Sequence, residues 1–383
     1  MLMSKWIVRN QKILPIGVDI GHSCIKMIQL AESDSSLQVL SVGQAPMPAS
    51  AATDEAERRR CAVSAIRELL SHGRFKGRNA VSALSADELQ ITSLRLAEAE
   101  SPQADRALRK EAAQRFNLDA DVDAIDYLLA GSVRQDDNVK NEFIVLAAKA
   151  GTIESHICLL EEAGLQPVGI DPAPCALFRS FERAMRREED KQRTIIFVDV
   201  GYRYTTVVFA RNSEICLAKQ MPLGTARFDE EIASKLEMAA GDAEPLRLRL
   251  QRDGSMEEGT RQLVTDAIVS AAEQLAKELS LCLRYHTVTF RGKRVEQAVV
   301  AGGGANEKLL LDVLQRHLSI AVEPAEPFRG LDLGDTKCGD ECRRSSAGLA
   351  LAIGLSLKGR GPAAAVCEPS EVAPEPALEG ERS

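Results

Sequence analysis

The chain has 383 residues, 45% of them hydrophobic and 27% charged, and carries a formal net charge of −8. This length exceeds what one core organises and implies at least two domains, while the acidic balance argues against a nucleic-acid partner, which would need a basic face. No apolar run reaches the roughly 18 residues of a membrane-spanning helix, the N-terminus lacks a leader's apolar core, and nine scattered cysteines without a disulfide framework fit a reducing cytoplasm.

Residues 13–45 read as three strands joined by tight turns, a meander that opens a sheet. "TDEAERRRCAVSAIRELLSHG" follows, with Val63, Ile66, Leu69 and Leu70 at helical spacing and a stop at Gly73. The stretch 79–161 runs strand, helix, strand, strand, helix and reads as a small α+β subdomain, inserted into a first domain of residues 13–78 and 162–191. Its helices are "ADRALRKEAAQRF" and "TIESHICLLEEAGL". From Thr194 the opening pattern returns as strand, Asp-x-Gly turn, strand, then a third strand in "EICLAKQMPLG". Residues 229–294 form a helical subdomain, "EQAVVAGGG" a strand, "NEKLLLDVLQRHL" a helix and "SSAGLALAIGLSL" a buried helix. Residues 192–228 and 295–358 therefore make a second domain related to the first. Residues 359–383, rich in Pro, Ala and Glu, are expected to be a disordered acidic tail. A lone pair, Cys338 and Cys342, falls short of a zinc site, and Trp6 is read as packing on the first domain.

Two related halves facing each other create a cleft, where ligands usually sit. The stretch "LPIGVDIGHSCIKMIQL" (Leu14 to Leu30) ends a buried strand on Asp19 and turns at Gly21; "TIIFVDVGYRYTTVVFA" repeats this with Asp199 and Gly201. Such turns present backbone N–H groups, and glycine lets a phosphate approach them closely. A carboxylate beside a phosphate site makes sense when Mg²⁺ lies between, held through water, so Asp19 and Asp199 are the metal candidates. Lys26 can reach a phosphate as a point charge, and Thr205 belongs to the second turn. The run Gly302-Gly303-Gly304, between strand and helix, suits close approach by a base or phosphate.

The combination resembles the actin/Hsp70/sugar-kinase ATPases: an actin-like, ribonuclease H-like α/β fold with duplicated domains around a nucleotide cleft. Within that superfamily the first stretch resembles the PilM family of type IV pilus assembly, whose opening reads D-I-G-x-S-x-x-K. "EFIVLAAKAGTIESHICLLEEAGLQPVGIDPAPCALFRSF", "VDVGYRYTTVVFARNSEICLAKQMPLG" and "SAGLALAIGLSLKG" are similar to later passages of the family. The resemblance implies ATP or ADP with Mg²⁺, with His22 and Ser23 in the first loop, Arg203 in the second and Gly224 after the third strand. In "AEPLR" it implies that Glu244 takes the ribose hydroxyls and that Arg247 stands where the family has lysine. His22, and Tyr202 to Tyr204, replace small residues and put efficient ATP turnover in doubt.

The same resemblance implies a cytoplasmic scaffold at the inner-membrane face, with the tail of a PilN-like membrane protein docked on the inserted subdomain. It also implies contact with other pilus-platform proteins, membrane association through partners alone, and self-association. The same fold also serves two other functions. An FtsA-like division protein would end in a basic amphipathic helix, which the acidic tail cannot form. A small-molecule kinase would need a general-base carboxylate that the sequence does not single out.

Overall fold

The computed structural model describes residues 11–33, 36–48, 54–97, 102–135, 138–183, 185, 193–252, 254–290, 294–334 and 346–360. Trp6, the Cys338–Cys342 pair and the Pro- and Glu-rich tail after Arg360 lie outside these residues.

Strands β1 (Lys12–Ile20), β2 (Cys24–Ser33) and β3 (Ser36–Pro46) form the antiparallel meander, with Asp19 opposite Lys26 in the β1–β2 register. A bulge between Ile13 and Ile16 breaks the alternation. It moves Leu14 to a different core layer from Ile16 and Val18, so β1 is buried on both faces. β4 (Asn79–Ser82) and β8 (Gln166–Ile170) continue this sheet in parallel, giving the order β3-β2-β1-β4-β8. The second sheet is built from β9 (Thr194–Val200), β10 (Thr205–Arg211), β11 (Glu214–Met221), β12 (Val295–Ala301) and β13 (Ala321–Pro324). Its order, β11-β10-β9-β12-β13, matches the first strand for strand.

Helix α1 (Glu55–His72) starts at Asp54, whose carboxylate accepts the Ala56 and Glu57 amides. With α3 (Ala150–Glu162) it covers one face of the first sheet, where Ile66 and Leu160 meet Ile16, Val18 and Met27. Between the sheets, α4 (Ala173–Glu182) crosses the chain's last helix. α4 lays Phe181 flat on Phe197 of β9, ring centroids 4.9 Å apart. The last helix (Ala350–Leu357) in turn lays Ile353 and Leu357 on the first sheet. Each half thus lends a helix to the other half's sheet. Two glycines permit the approach: a Cβ on Gly17 would strike the Ala352 carbonyl, and one on Gly354 the Ala176 carbonyl.

Beyond β11 come α5 (Ala226–Leu236), α6 (Ala240–Gln251) and the long α7 (Glu258–Thr289); α8 (Lys308–Leu318) packs on α7, and the last helix is α9. The inserted block is smaller than 79–161. β4 pairs with β1, and α3 packs on α1 and β8, because their apolar residues complete the first sheet's layer. What stands apart is the sheet β5-β7-β6, made of β5 (Gln90–Ala97), β6 (Ala124–Gln135) and β7 (Asn138–Ala148), with α2 (Pro102–Phe116) on one face. Along β7 the side chains alternate: Val145 and Ala147 face α2, while Ile144 and Leu146 join the core of the second half. There Glu142, almost fully buried, accepts from Arg95 Nε at 2.5 Å and from the Tyr285 hydroxyl of α7 at 2.7 Å.

Candidate functional site

The β1–β2 and β9–β10 turns face each other across a cavity of about 250 Å³ between the two sheets. The second turn is closed by the Gly201 amide donating to the Tyr204 carbonyl (3.0 Å) and tied to the start of α5 by the Ala226 amide donating to the Tyr202 carbonyl (2.8 Å). Of the residues singled out in the sequence, Asp19, Gly21, His22, Ser23, Lys26, Asp199, Gly201, Arg203 and Gly303 line this cavity.

At its floor the Lys26 ammonium donates to Asp19 Oδ2 at 3.1 Å. Burial works against the Lys26 charge, but Asp19 and Asp199 overcome it and hold the ammonium above its usual range. Burial pushes the Asp199 carboxyl up to about 6, with Lys26 pulling the other way. One cation therefore faces two carboxylates, one from each half. Burial, then Arg58, pulls the His22 imidazole down to about 4, so it is neutral at physiological pH. The His22 and Gln220 Nε2 atoms are buried here without partners, an arrangement that leaves polar atoms for a ligand to satisfy.

Six expected residues do not line the cavity. Thr205 is fully buried and its hydroxyl donates to the Leu223 carbonyl at 2.6 Å; strand alternation turns Thr206 inward instead. Gly302 and Gly304 are needed for close packing: a Cβ on either would collide with Val200, and Gly302 has φ +82. Gly303 faces open space. Gly224 packs against the Tyr202 carbonyl. Arg247 does not stand free for a base. It is buried, donating to Asp229 Oδ1 at 2.6 Å and to Glu307, the residue just before α8 that follows the Gly-rich turn. Its charge was taken by two carboxylates that local spacing could not reveal. Glu244 is half exposed beside it, 3.9 Å from Arg247 Nη2. The cavity also includes Gln44, Ser85, Thr225, Gln220, Asn306 and Gly348, which carry no motif in the sequence. A Cβ added to Gly348 would lie 3.8 Å from Lys26 Cε, in ordinary contact.

The residues present fit a Mg²⁺-nucleotide in kind: two carboxylates, a lysine, two glycine turns and unpartnered polar atoms. In size the cavity, at about 250 Å³, lies just below the roughly 300–1,000 Å³ typical of ligand pockets. Among the described residues there is no cluster of three or more metal-ligating side chains. Among them, too, no helix is long and apolar enough to cross a membrane.

Comparison with known proteins adds a family. Residues 17–360 match the family model described as type IV pilus assembly protein PilM. Among solved structures, the PilM-PilN type IV pilus biogenesis complex aligns with TM-score 0.75 and 22% identity, over 91% of this chain and 99% of that one. Ethanolamine utilization protein EutJ from Carboxydothermus hydrogenoformans aligns with TM-score 0.53 and 13% identity, over 90% and 89%. The fold is α/β and actin-like, as the duplicated sheets imply.

Proposed function

Since the chain belongs to the PilM family of type IV pilus assembly proteins, we propose that it is a nucleotide-binding scaffold of the pilus machinery that also docks a membrane protein's tail. The observation that carries the nucleotide reading is the pair of opposed Asp-x-Gly turns with Lys26 between their carboxylates. In this reading the turn amides and Lys26 hold the phosphates of ATP or ADP, Asp19 and Asp199 hold the waters of Mg²⁺, and Gly303 leaves room for the nucleoside. Bound Mg²⁺ would neutralise phosphate charge. The chain's own part is to bind and orient. Arg247 acts at one remove, by fixing Glu307 and with it the Gly-rich turn.

For the partner we propose the cytoplasmic tail of a PilN-like protein, laid on the inserted sheet. β6 sits at the rim of that sheet, with Leu129 55% exposed, and an extended peptide can add to such an edge. This would place the protein at the inner-membrane face through its partner.

Two titrations test the reading. Lys26→Ala removes a charge-assisted contact of about 1.5–3 kcal/mol, roughly a 10- to 100-fold loss of ATP affinity by calorimetry. Wild-type affinity in that variant would sink the nucleotide assignment. Replacing residues 90–148 by a Gly/Ser linker should abolish binding of a PilN-type N-terminal peptide; if peptide binding survives, the docking surface lies elsewhere.

A further inference from the structure

Strand register sets one row of side chains in each half. In the first half Asp19 stands opposite Lys26, and Lys26 opposite Gln44. In the second half Asp199 stands opposite Thr206, and Thr206 opposite Gln220. All six residues line the cavity. The rows agree at both ends and differ in the middle, where threonine takes the place of lysine. The second row therefore brings a carboxylate with no cation of its own, and Lys26 serves both rows. Its ammonium donates to Asp19 Oδ2 at 3.1 Å. Burial works against that charge, and Asp19 and then Asp199, from the other half, outweigh it. The Lys26 and Asp19 side chains are 18% and 14% exposed, so water screens the pairing only in part.

This sharing sets a condition on metal binding. A free divalent cation drawn to the two carboxylates meets an ammonium that the same charges already hold. It must either stand beside a like charge or strip Lys26 of its anions in a largely buried place, and both are unfavourable. A phosphate removes the conflict, because it gives Lys26 another anion to pair with. We infer that Lys26 is an internal counter-ion that bars free divalent cations from the Asp19–Asp199 pair, so that metal enters only together with a phosphate-bearing ligand. The inference rests on the nucleotide reading above and gives Lys26 a second task there, the exclusion of metal without phosphate.

The test titrates the full chain with Mn²⁺ alone, an ion that takes the same oxygen ligands as Mg²⁺, followed by electron paramagnetic resonance. Wild type is compared with Lys26→Met, Lys26→Gln and Lys26→Arg. Both neutral variants should take up Mn²⁺ about 10- to 100-fold more tightly than wild type, the worth of one charge-assisted contact. Lys26→Arg keeps the cation and should behave as wild type. Adding Asp199→Asn to either neutral variant should abolish the gain. The neutral side chains differ in polarity, so misfolding of one variant leaves the other decisive. Calorimetry of wild type with ATP–Mg²⁺ runs alongside. If wild type binds ATP–Mg²⁺ and the neutral variants gain no affinity for Mn²⁺, Lys26 bars nothing: the inference is wrong and the nucleotide reading stands. If the gain survives Asp199→Asn, the metal sits elsewhere and the inference is equally wrong. If wild type binds no ATP–Mg²⁺, the nucleotide reading falls and takes the inference with it.

Discussion

Replacing Arg247 by Met would test how much of the second half depends on one buried cation. The guanidinium is 6% exposed, and its partners Asp229 and Glu307 are 5% and 4% exposed. Solvent therefore screens little of the interaction, and removing the cation strands two carboxylates. Breaking a buried pair in this way costs about 3–5 kcal/mol. If the second half unfolds as one unit, that lowers its midpoint by roughly 6–20 °C. The pH dependence is the sharper prediction. Burial already raises both carboxyls above their ordinary range, with Arg247 pulling them back. Without Arg247 they rise further. A carboxyl raised in the fold contributes stability that is complete below its unfolded pKa and lost as pH rises through the folded one. The variant's deficit should therefore be largest near neutral pH and shrink toward about pH 4. Urea unfolding followed by circular dichroism across that range measures it, with hydrogen exchange in α5 and α6 reporting the locality. A deficit below about 1 kcal/mol, flat with pH, would mean that the carboxylates reach water and that the triad holds nothing.

Asp19→Asn should remove most of the Mg²⁺ dependence of ATP binding. If wild-type chain binds ATP equally with and without Mg²⁺, the water-bridged metal is wrong. His286 is buried between Phe209 and Phe290, and burial, then Arg211, depresses it to about 4. Its contribution is present above about pH 6.5 and is lost as pH falls toward 4, so His286→Phe should flatten the acid limb of the stability profile; an unchanged limb refutes this. Gly354→Ala drives a methyl into the Ala176 carbonyl; thermal melts should show α4 and α9 forced apart, with a loss of several kcal/mol, in the upper range for a point change.

The parts that could be read from the sequence were those governed by local chemistry. Alternation and a turn glycine placed Asp19 and Asp199 at strand ends, and both face the cleft. Duplication of that pattern implied two related halves, each opening on a three-strand meander, and the two sheets do share one strand order. What escaped depended on long-range packing. β13, four residues with only Val322 partly buried, has no periodicity to read. β4 and α3 looked like part of the insert because they adjoin it in the chain, and only pairing with β1 and packing on α1 assign them to the first sheet. Thr205 and Thr206 are chemically alike, and the register against Asp199 decides which faces inward. Arg247 sat at a familiar spacing, but its partners lie 18 and 60 residues away.

The inserted sheet joins the first half through the backbone yet rests its apolar face on β11 and α7 of the second, with Glu142 gripped from Tyr285. It is a strut between the two halves, hung from one and leaning on the other. Any movement of one half against the other would have to slide or tilt the strut at its resting face. If a ligand in the cleft biases that movement, a partner holding the strut from outside would, by reciprocity, be affected by the same factor. Two surfaces with no residue in common would then share one degree of freedom, and the tightness of one would be a readout of the other.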